Sequence, residues 1–465
     1  MPLSNAQMRD VESVLHPFTN LVKHRETGPL VFEKGKGVFV YDERGKDYIE
    51  GMAGLWCVGL GWGEEALIEA AHEQMRKLAY GHLFASKSHE PAIALAEKLK
   101  EMAPFAVGKV FFANSGSEAN DTQVKLFWYA NNALGRPAKK KIVSRIKGYH
   151  GVTVASASLT GLPATSKGFD IPLPFAVHAD CPHYYRGAEP GESEEDFSAR
   201  MAANLETLIE REGAATIAAM IVEPLQGAGG VILPPKGYFA AIQKVLARHD
   251  IALIDDEVIT GFARTGNWFG AETYGLEPDT MTLAKALSSA YLPISAVLIS
   301  PEISDIVEKE SGRLGTFGHG FTYGGHPVAC AVALRTVELY RERDILSHVR
   351  KVSPRFLARL RKLAGHPLVG EASGVGLIGA IELVAHKEDK ASFDPANAVA
   401  MTCARFCEEA GLIVRPLLGD RVAVCPPLVI SEAEIDELFD RFEKGLAATL
   451  DWAKREKVLT AWSRP

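Results

Sequence analysis

The sequence predicts an α/β protein with a central, mostly parallel β-sheet flanked by helices, plus a smaller α+β domain built from both termini. Two observations support this prediction. Between residues 109 and 300, short runs rich in Ile and Val alternate with helical stretches such as 238–250, as repeated βαβ units require. These runs are apolar almost throughout, which is typical of strands covered on both faces in a parallel sheet.

Each predicted strand ends in turn or polar residues. The runs are KVFFANS (109–115), KKIVSRIKGYHG (140–151), AAMIVEPLQG (218–227), IALIDDEV (251–258) and PISAVLIS (293–300). A helix over 117–134, with Ser117 as its N-cap, follows the first run. Ligands of an open α/β sheet bind beyond the carboxyl ends of its strands. The polar ends NSGSEAND, KGYHG, EPLQG and DDEV should therefore converge on one crevice.

The two ends of the chain have a different pattern. Residues 30–50 read as a hairpin with Gly-containing turns, 330–365 as one long helix, and 367–430 as short strands with one helix. We therefore predict a large α/β domain over residues 60–328. The small α+β domain is discontinuous and combines residues 1–59 with 329–465.

Composition limits the classes of partner. The chain has 465 residues, of which 47% are hydrophobic, and a net charge of −7, with a pI near 6.1. Mild acidity gives no reason to expect nucleic acid or an anionic membrane as a partner. The N-terminus MPLSNAQMRD does not resemble a signal peptide, and there is no apolar run long enough to span a bilayer. Six scattered cysteines without a C-x-x-C pair indicate free thiols in the reducing cytoplasm.

The stretch NSGSE (114–118) is a strand-to-helix turn with one glycine and two serines. Backbone N–H groups at a helix start, together with a serine hydroxyl, can hold a phosphate. An ordinary helix N-cap explains the same residues. The sequence has no G-x-x-x-x-G-K-[ST] motif and no G-x-G-x-x-G between a strand and a helix, which argues against a P-loop and a dinucleotide site.

Three acids, Asp255, Asp256 and Glu257, follow a buried strand. They require a partner: a metal, a basic surface or a cationic ring. We predict no metal site at these acids, because neither H-E-x-x-H nor a spaced cluster of acids lies nearby. Because strand side chains alternate, Asp255 and Asp256 should point to opposite sides, so that only one faces the crevice.

Lys285 lies between Ala284 and Ala286 after an apolar run. An unpaired buried ammonium is unfavourable, and a lysine avoids it by losing its charge or by forming a Schiff base. A lysine that extends to the surface is the alternative. A phosphate cup, a buried acid and a lysine 29 residues beyond it match the three reactive parts of pyridoxal 5'-phosphate (PLP). The protonated pyridine ring of PLP would then be the positively charged partner of the acids.

At this point the sequence resembles the class III aminotransferases, which have PLP fold type I. The resemblance covers about residues 20 to 450 and rests on motifs in a fixed order: NSGSEAND, GYHG, EPLQG, DEVITGFARTG, AKALSSAYLPISAV, FTYGGHPVAC and GLIVRPLLGD followed by PPL. It implies that Lys285 forms the Schiff base and moves the substrate proton. It also implies that Asp256 pairs with the pyridine nitrogen, and that Gly116 and Ser117 hold the phosphate.

The resemblance implies four further cofactor contacts. Tyr149 stacks on one face of the ring and Val258 packs on the other, while Glu223 is a further cofactor-binding residue. Thr322 reaches the phosphate of the neighbouring subunit, which makes the protein a homodimer with shared active sites. Whether two or four chains assemble stays open.

Five positions bear on the substrate, and one of them is Tyr149, which is expected to contact substrate as well as the ring. Relatives acting on ornithine, acetylornithine or 4-aminobutyrate usually have Glu where this chain has Ala228, and Gln where it has Ile259. Trp56 matches the aromatic pocket wall of the amine:pyruvate group, and Arg415 matches an arginine that binds a keto-acid carboxylate bidentately. Two departures are Asp255, where an uncharged residue is more usual, and Ala290, where Gly is frequent.

The resemblance therefore implies an omega-aminotransferase that moves an amino group from a primary amine to a keto acid such as pyruvate, with ping-pong kinetics. The alternative is another outcome on the same fold: a 4-aminobutyrate- or ornithine-type aminotransferase, an aminomutase, a racemase or a decarboxylase. A rival of another class also stays open: a metal-dependent enzyme that uses the three acids, or a non-catalytic relative. The sequence does not identify the amine.

Overall fold

A computed structural model describes residues 3–459, in which the strands form three sheets surrounded by helices. The strands are β1 Phe32–Lys36, β2 Phe39–Asp42, β3 Asp47–Glu50, β4 Lys109–Ala113, β5 Lys141–Arg145, β6 Ala176–Ala179, β7 Ile217–Val222, β8 Ala252–Asp256, β9 Thr280–Leu283, β10 Ser295–Ile299, β11 Val369–Val375, β12 Ile378–Leu383, β13 Leu412–Ile413, β14 Arg415–Leu417 and β15 Arg421–Val424.

The helices include long packing elements and several short turns. They are α1 Asn5–Ser13, α2 Leu21–Thr27, α3 Ala53–Trp56, α4 Glu65–Lys77, α5 Glu90–Met102, α6 Gly116–Ala133, α7 Val154–Leu159, α8 Pro163–Ser166, α9 Tyr184–Gly187, α10 Glu194–Glu212, α11 Tyr238–Arg248, α12 Gly270–Tyr274, α13 Pro301–Leu314, α14 Pro327–Glu342, α15 Ile345–Lys362, α16 Val399–Glu409 and α17 Glu432–Arg455. Short 3-10 turns lie at Ala214–Thr216, Lys285–Ser288, Leu363–Gly365 and Pro395–Asn397.

The largest sheet has seven strands in the order β4-β10-β9-β8-β7-β5-β6. Strands β9, β8, β7, β5 and β6 pair in parallel, and β10 runs antiparallel to both of its neighbours. Every residue of β7 is buried. Ile221 packs in one apolar cluster with α6, and Met220 packs in another with α10 and α11. Near-continuous apolar strands thus have helices on both faces, as the sequence predicts.

The helix after β4 begins earlier than predicted. Ser115, not Ser117, is the N-cap of α6: its backbone is extended, and its Oγ accepts a hydrogen bond from the Glu118 N–H at 3.2 Å. The prediction of Ser117 was wrong because two serines lie two residues apart and only backbone geometry selects between them. Ser117 therefore belongs to the first turn of α6, where backbone N–H groups have no partner within the helix.

The C-terminal part of the chain contributes strands to both smaller sheets, and the N-terminal part contributes strands to one of them. One has the order β1-β2-β3-β13 and the other β11-β12-β15-β14. The segment predicted as one long helix over 330–365 is instead two helices, α14 and α15, separated at Asp344, which has a left-handed backbone (φ 48°). No helix within residues 3–459 is both long enough and apolar enough to cross a membrane. The proposed domain boundaries near residues 60 and 328 stay predictions.

A buried arginine on β15 links the β11-β12-β15-β14 sheet to the loop that follows β7. Arg421 is fully buried, and its Nη1 donates to Glu382 Oε2 at 2.8 Å and to Glu371 Oε2. Its Nε donates to the carbonyl of Gly230. The same guanidinium therefore holds strands β11 and β12 and fixes one residue of the loop, so that its charge is fully compensated in the interior.

The acids at the end of β8 separate onto two sides of the sheet. Asp255 and Glu257 are 0% and 1% exposed. Glu257 accepts hydrogen bonds from the Ala271 N–H at 2.6 Å and from Thr260 Oγ1. Among the described residues, neither carboxyl oxygen of Asp255 has a hydrogen-bond partner. Burial raises the pKa of Asp255 well above its usual range, and the neighbouring Glu257 raises it further. Burial also raises the pKa of Glu257 to about 7.

Replacing Arg421 with Met should destabilise the protein by about 3–5 kcal/mol, because the buried carboxylates of Glu382 and Glu371 lose their compensating charge. Urea unfolding of the purified holoenzyme measures the loss. The control is Arg405→Met, which breaks the exposed ion pair with Glu409 and should cost less than about 1 kcal/mol. Equal losses in the two variants would contradict a structural role for Arg421.

Replacing Asp255 with Asn should stabilise the protein increasingly as pH rises from about 5 to about 8. The folded protein holds the Asp255 proton more tightly than the unfolded chain does. Wild-type stability therefore falls as pH rises from the unfolded-state pKa toward the raised folded-state pKa. An asparagine does not titrate and removes this fall. Urea unfolding at several pH values measures the difference in unfolding free energy between variant and wild type.

The control for this measurement is Asp250→Asn. Hydrogen bonding to Lys139 lowers the pKa of Asp250, so its stabilising contribution is already complete above the unfolded-state pKa of about 4. That variant should show a constant difference from wild type over the same range. A constant difference for Asp255→Asn as well would show that Asp255 carries no raised pKa in the folded state.

Candidate active site

A cavity of about 370 Å³ lies at the carboxyl ends of the parallel strands. It contains the polar segments that follow β4, β5, β7, β8 and β9, as the sequence analysis predicts for an open α/β sheet. Seven of the predicted site residues line it: Gly116, Ser117, Tyr149, Glu223, Asp256, Val258 and Lys285. Residues distributed over 170 positions of the chain (116 to 285) are therefore brought to one place by the parallel strand order.

The first turn of α6 forms one end of the cavity. Ser115 caps the helix, and Gly116 and Ser117 follow at its start. A side chain on Gly116 would place its Cβ 3.2 Å from Val258 Cγ2, so the glycine keeps the helix start accessible between them. Ser117 Oγ accepts a hydrogen bond from the Val152 N–H at 3.1 Å. The free backbone N–H groups and the helix dipole make this end suited to an anion.

Lys285 lies at the wall of the cavity, immediately after β9. It is half-buried, has a left-handed backbone (φ 49°), and opens the 3-10 turn Lys285–Ser288. Removal from water lowers the pKa of its ammonium group, because desolvation disfavours the charged form. The lysine therefore does not extend to the surface as the alternative reading had it. A lysine with a lowered pKa is a better base and nucleophile near neutral pH.

Asp256 is held by donors from three different segments. Its Oδ2 accepts hydrogen bonds from Asn120 Nδ2 at 2.8 Å and from His150 Nδ1 at 2.8 Å. Its Oδ1 accepts one from the Val258 N–H at 3.2 Å. The carboxylate is 3% exposed, so these donors fix its position and stabilise its negative charge. The Nδ1 atom of His150 must carry the proton in this contact, since a carboxylate only accepts.

Asn120 and His150 were not predicted from the sequence to be site residues. Both belong to quoted motifs, NSGSEAND and GYHG, and both are buried. Asn120 lies four residues after Gly116, so the two share one face of α6. That spacing is a signal for Asn120. For His150 the only local signal is its place beside Tyr149, and its contact with Asp256 depends on the order of strands β5, β7 and β8.

Glu223 joins two loops of the cavity. Its Oε1 accepts from the Tyr149 N–H at 3.0 Å, and its Oε2 accepts from the Gly227 N–H at 2.9 Å. Burial raises the pKa of Glu223. Because both oxygens accept backbone hydrogen bonds, Glu223 fixes the positions of the GYHG and EPLQG segments rather than acting as a mobile base.

Three of the residues predicted to bind substrate, Trp56, Ala228 and Arg415, lie beside this cavity rather than in its wall, whereas the fourth, Tyr149, lines it. Trp56 is 4% exposed and packs in an apolar cluster with Leu225 and Ile259, both of which line the cavity. Its left-handed backbone (φ 67°) belongs to an irregular turn. Ala228 is half-buried, in the loop before Gly230.

Arg415 lines a neighbouring cavity of about 790 Å³, together with Glu50, Cys57 and Trp62. Burial raises the pKa of Glu50 to about 8, and Glu50 accepts a hydrogen bond from the Gly54 N–H. Glu50 therefore holds the turn that carries Trp56. Arg415 itself is half-buried, which leaves its guanidinium beside the substrate side of the site.

The structure also shows the surroundings of Thr322 and Ala290. Thr322 is exposed and does not line the cavity of its own chain, and its carbonyl accepts from Tyr80 Oη at 2.7 Å. A contact with the neighbouring subunit stays a prediction. Ala290 has a left-handed backbone (φ 63°), a conformation that glycine adopts without strain. This explains why glycine is frequent there in the family that the sequence resembles.

The cavity fits a pyridoxal phosphate. An anion-binding helix start, a lysine of lowered pKa and a hydrogen-bonded carboxylate line the same space, and Tyr149 and Val258 provide two walls for a flat ring. A Cβ on Gly151 would meet Ser117 Oγ at 2.5 Å, so this glycine lets the GYHG segment approach the helix start closely. A metal ion does not account for the lysine in this group of residues.

Comparison with known proteins identifies the family. The class-III aminotransferase family matches residues 21–446. The chain is 50% identical over 438 residues to the probable gamma-aminobutyrate transaminase 2, mitochondrial, of Oryza sativa subsp. japonica, covering 94% of this chain and 88% of that protein. It is also 50% identical over 437 residues to gamma aminobutyrate transaminase 1, mitochondrial, of Solanum lycopersicum, covering 94% of this chain and 85% of that protein.

Solved structures confirm the predicted PLP fold type I. The omega transaminase from Pseudomonas jessenii in complex with PMP has a TM-score of 0.95 and 51% identity, covering 97% of this chain and 99% of that chain. A transaminase with L-ala has a TM-score of 0.89 and 51% identity, covering 91% of this chain and 100% of that chain. The chain therefore belongs to the class-III aminotransferases, and it is an aminotransferase that uses pyridoxal phosphate.

Proposed function

We propose that this enzyme is an omega-aminotransferase, which takes the amino group from a primary amine and passes it to a keto acid such as pyruvate. The observation that carries the proposal is the shared cavity of Lys285 and Asp256 at the carboxyl ends of the strands. The amine is one without a carboxylate on the carbon that bears the nitrogen. Some relatives are named gamma-aminobutyrate transaminases and some structural neighbours omega transaminases, so a 4-aminobutyrate-type aminotransferase stays the alternative, and Ala228 and Ile259 favour the omega-aminotransferase.

Lys285 Nζ is the group that moves protons in this proposal. Its pKa is lowered by removal from water, so a larger fraction of it is neutral near pH 7 than for an exposed lysine. A neutral Nζ can take the proton from the substrate carbon and return it at a second position. When bound, pyridoxal phosphate supplies an aldehyde that captures the amine and a ring that accepts the electron pair.

Asp256, Tyr149 and the start of α6 hold the site in place. Asp256 presents a carboxylate fixed by Asn120 and His150, which favours a protonated ring nitrogen. Gly116 and Ser117 contribute backbone and hydroxyl donors for the phosphate. These groups are arranged before the substrate arrives, so no reorganisation is needed when charge moves during the reaction.

Arg415 and Trp56 select the two substrates. A guanidinium binds the keto-acid carboxylate through two parallel hydrogen bonds, and the apolar cluster of Trp56, Leu225 and Ile259 suits an uncharged group. Within residues 3–459 Arg415 forms no ion pair with a carboxylate, and burial lowers the pKa of its guanidinium. It is thus free to turn aside when an uncharged amine binds. Ala228, in place of an acid, is consistent with this arrangement.

We also propose a homodimer with shared active sites, or a pair of such dimers. Thr322 and Tyr323 are exposed at the end of a segment that begins after α13, and the same surface includes Tyr80 and Phe84, which are 42% and 48% exposed. Exposed aromatic side chains of this kind are enriched in protein interfaces. Thr322 would contact the phosphate bound by the partner subunit.

Replacing Lys285 with Ala should lower turnover by at least about 10³-fold, since general acid–base catalysis by one group contributes up to about 10⁴-fold. Bound cofactor should persist, because the phosphate and ring contacts remain. Steady-state rates and the visible spectrum of the purified protein measure both effects. The control is Lys244→Ala, which removes an exposed lysine from α11 and should leave turnover unchanged. Substantial turnover in Lys285→Ala would refute the proposed role.

Replacing Arg415 with Ala should raise the KM for pyruvate by at least about ten-fold, because a bidentate charged contact is worth about 1.5–3 kcal/mol, and leave the KM for an uncharged primary amine nearly unchanged. The assay pairs benzylamine or 4-aminobutyrate with pyruvate or 2-oxoglutarate. Loss of affinity for benzylamine and pyruvate alike would contradict selective binding of the carboxylate. Product formed from amine without any keto acid would instead favour an aminomutase or a decarboxylase.

A further inference from the structure

The N-terminal segment, residues 3–27, has few apolar contacts with the rest of the protein. Helix α1 buries none of its residues, and α2 buries only His24. Leu15, Phe18 and Val22 are 82%, 65% and 71% exposed. Gln7 Nε2 donates to the carbonyl of Pro29 at 2.8 Å, which attaches the segment at one point. Helices of this length depend on packing for their stability, and within the described chain these two have little of it.

Three side chains of this segment converge on one point. His16 Nε2 lies 2.8 Å from Asp10 Oδ1, and His24 Nε2 lies 3.1 Å from the same oxygen. The imidazole rings of His16 and His24 lie 4.2 Å apart between centroids, with an interplanar angle of 39°. The three candidate ligand atoms all lie within 4.8 Å of one another. Two imidazole edges and one carboxylate oxygen thus face a common space.

We propose that Asp10, His16 and His24 form a binding site for a divalent transition-metal ion of the zinc type. Imidazole nitrogens and a carboxylate oxygen are the ligand types that bind zinc and its first-row neighbours in proteins. His16 and Asp10 are about one-quarter exposed, at 26% and 24%, while His24 is 8% exposed. The site is therefore anchored on its protein side by His24 and has room on its outer side for a water molecule as a further ligand.

Hydrogen bonding alone accounts for these contacts less well. One carboxylate oxygen would serve two imidazole N–H donors on rings that lie 4.2 Å apart between centroids and are tilted by 39°. A dication in the same space compensates the carboxylate and attracts both nitrogens. It also closes the chain between residues 10 and 24, which stabilises a segment that lacks a core of its own.

A second group of similar composition is not a metal site. His183 lies near Glu371 and Glu382, but the guanidinium of Arg421 already contacts both carboxylates, and Arg186 contacts Glu382. These two arginines compensate the negative charges, and Arg421 occupies the space between them. The group at Asp10 has no arginine or lysine in its ion pairs within the described residues.

The first test measures binding to untagged holoenzyme that has been treated with EDTA and dialysed. Titration calorimetry with zinc chloride should give one ion per chain. Replacing either His16 or His24 with Gln should weaken the binding at least about ten-fold, and Asp10→Asn provides a third variant. The control is His72→Gln, which alters an exposed histidine paired with Glu69 at 3.6 Å and should leave binding unchanged. Equal aminotransferase activity in all variants shows that each is folded.

The second test reports on the segment itself. Trypsin can cleave after Arg9, Lys23 or Arg25, and mass spectrometry of the products measures the rate. Zinc should slow cleavage of wild type and of His72→Gln, and have no effect on His16→Gln or His24→Gln. Absence of zinc binding to wild type would overturn the proposal. So would binding that both histidine variants retain at full strength. Either result leaves the proposed aminotransferase activity untouched, since the metal site contains none of its residues.

Discussion

The rest of the site depends on one constraint: an amine and a carboxylate are removed from water in the same crevice. Lys285 and Asp256 line the same cavity, and desolvation disfavours the charged form of each. The protein treats them in opposite ways. Desolvation lowers the pKa of Lys285. Asp256 receives three hydrogen-bond donors, which stabilise its charge. Lys285 is thereby made a better base, and Asp256 is fixed in position by its hydrogen bonds.

This division depends on the order of strands in the large sheet. The donors to Asp256 come from α6, which follows β4, and from the segment after β5, while Lys285 follows β9. Antiparallel β10 separates β4 from β9, so the chain direction of β4 matches that of the parallel strands. All the functional segments then emerge at one edge. Had β4 run in the opposite direction, its anion-binding helix start would lie at the far edge of the sheet, away from Lys285.

Two arginines on neighbouring strands have different functions because of their surroundings. Arg421, on β15, is fully buried and bonded to Glu371, Glu382 and the Gly230 carbonyl. Arg415, on the adjacent β14, is half-buried beside an open cavity. A guanidinium with compensated charge and several acceptors is fixed, whereas one that faces a cavity can reorient. Arg421 holds the β11-β12-β15-β14 sheet against the loop that contains Ala228 and Gly230. It thereby supports the adjacent strand β14, which carries Arg415.

Much of the fold and most of the candidate site could be predicted from the sequence. Polar residues that follow buried strands are a local signal, and the parallel order brings them together, so Gly116, Glu223 and Lys285 were found without coordinates. The contacts of His150 depend on strands far apart in the chain, and no local pattern reports them. The break at Asp344 was missed because apolar spacing continues across it, and only the backbone dihedral angles end the helix there.

The acids at the end of β8 show how a two-residue repeat assigns roles to adjacent identical charges. Asp256 faces the cavity, while Asp255 and Glu257 are buried away from its lining. A charged carboxylate at position 255 would repel the one at position 256. Burial without hydrogen-bond donors among the described residues opposes this, because it raises the pKa of Asp255 well above its usual range. An additional acid next to Asp256 is tolerated because the sheet places the two side chains on opposite sides and burial disfavours the charged form of Asp255.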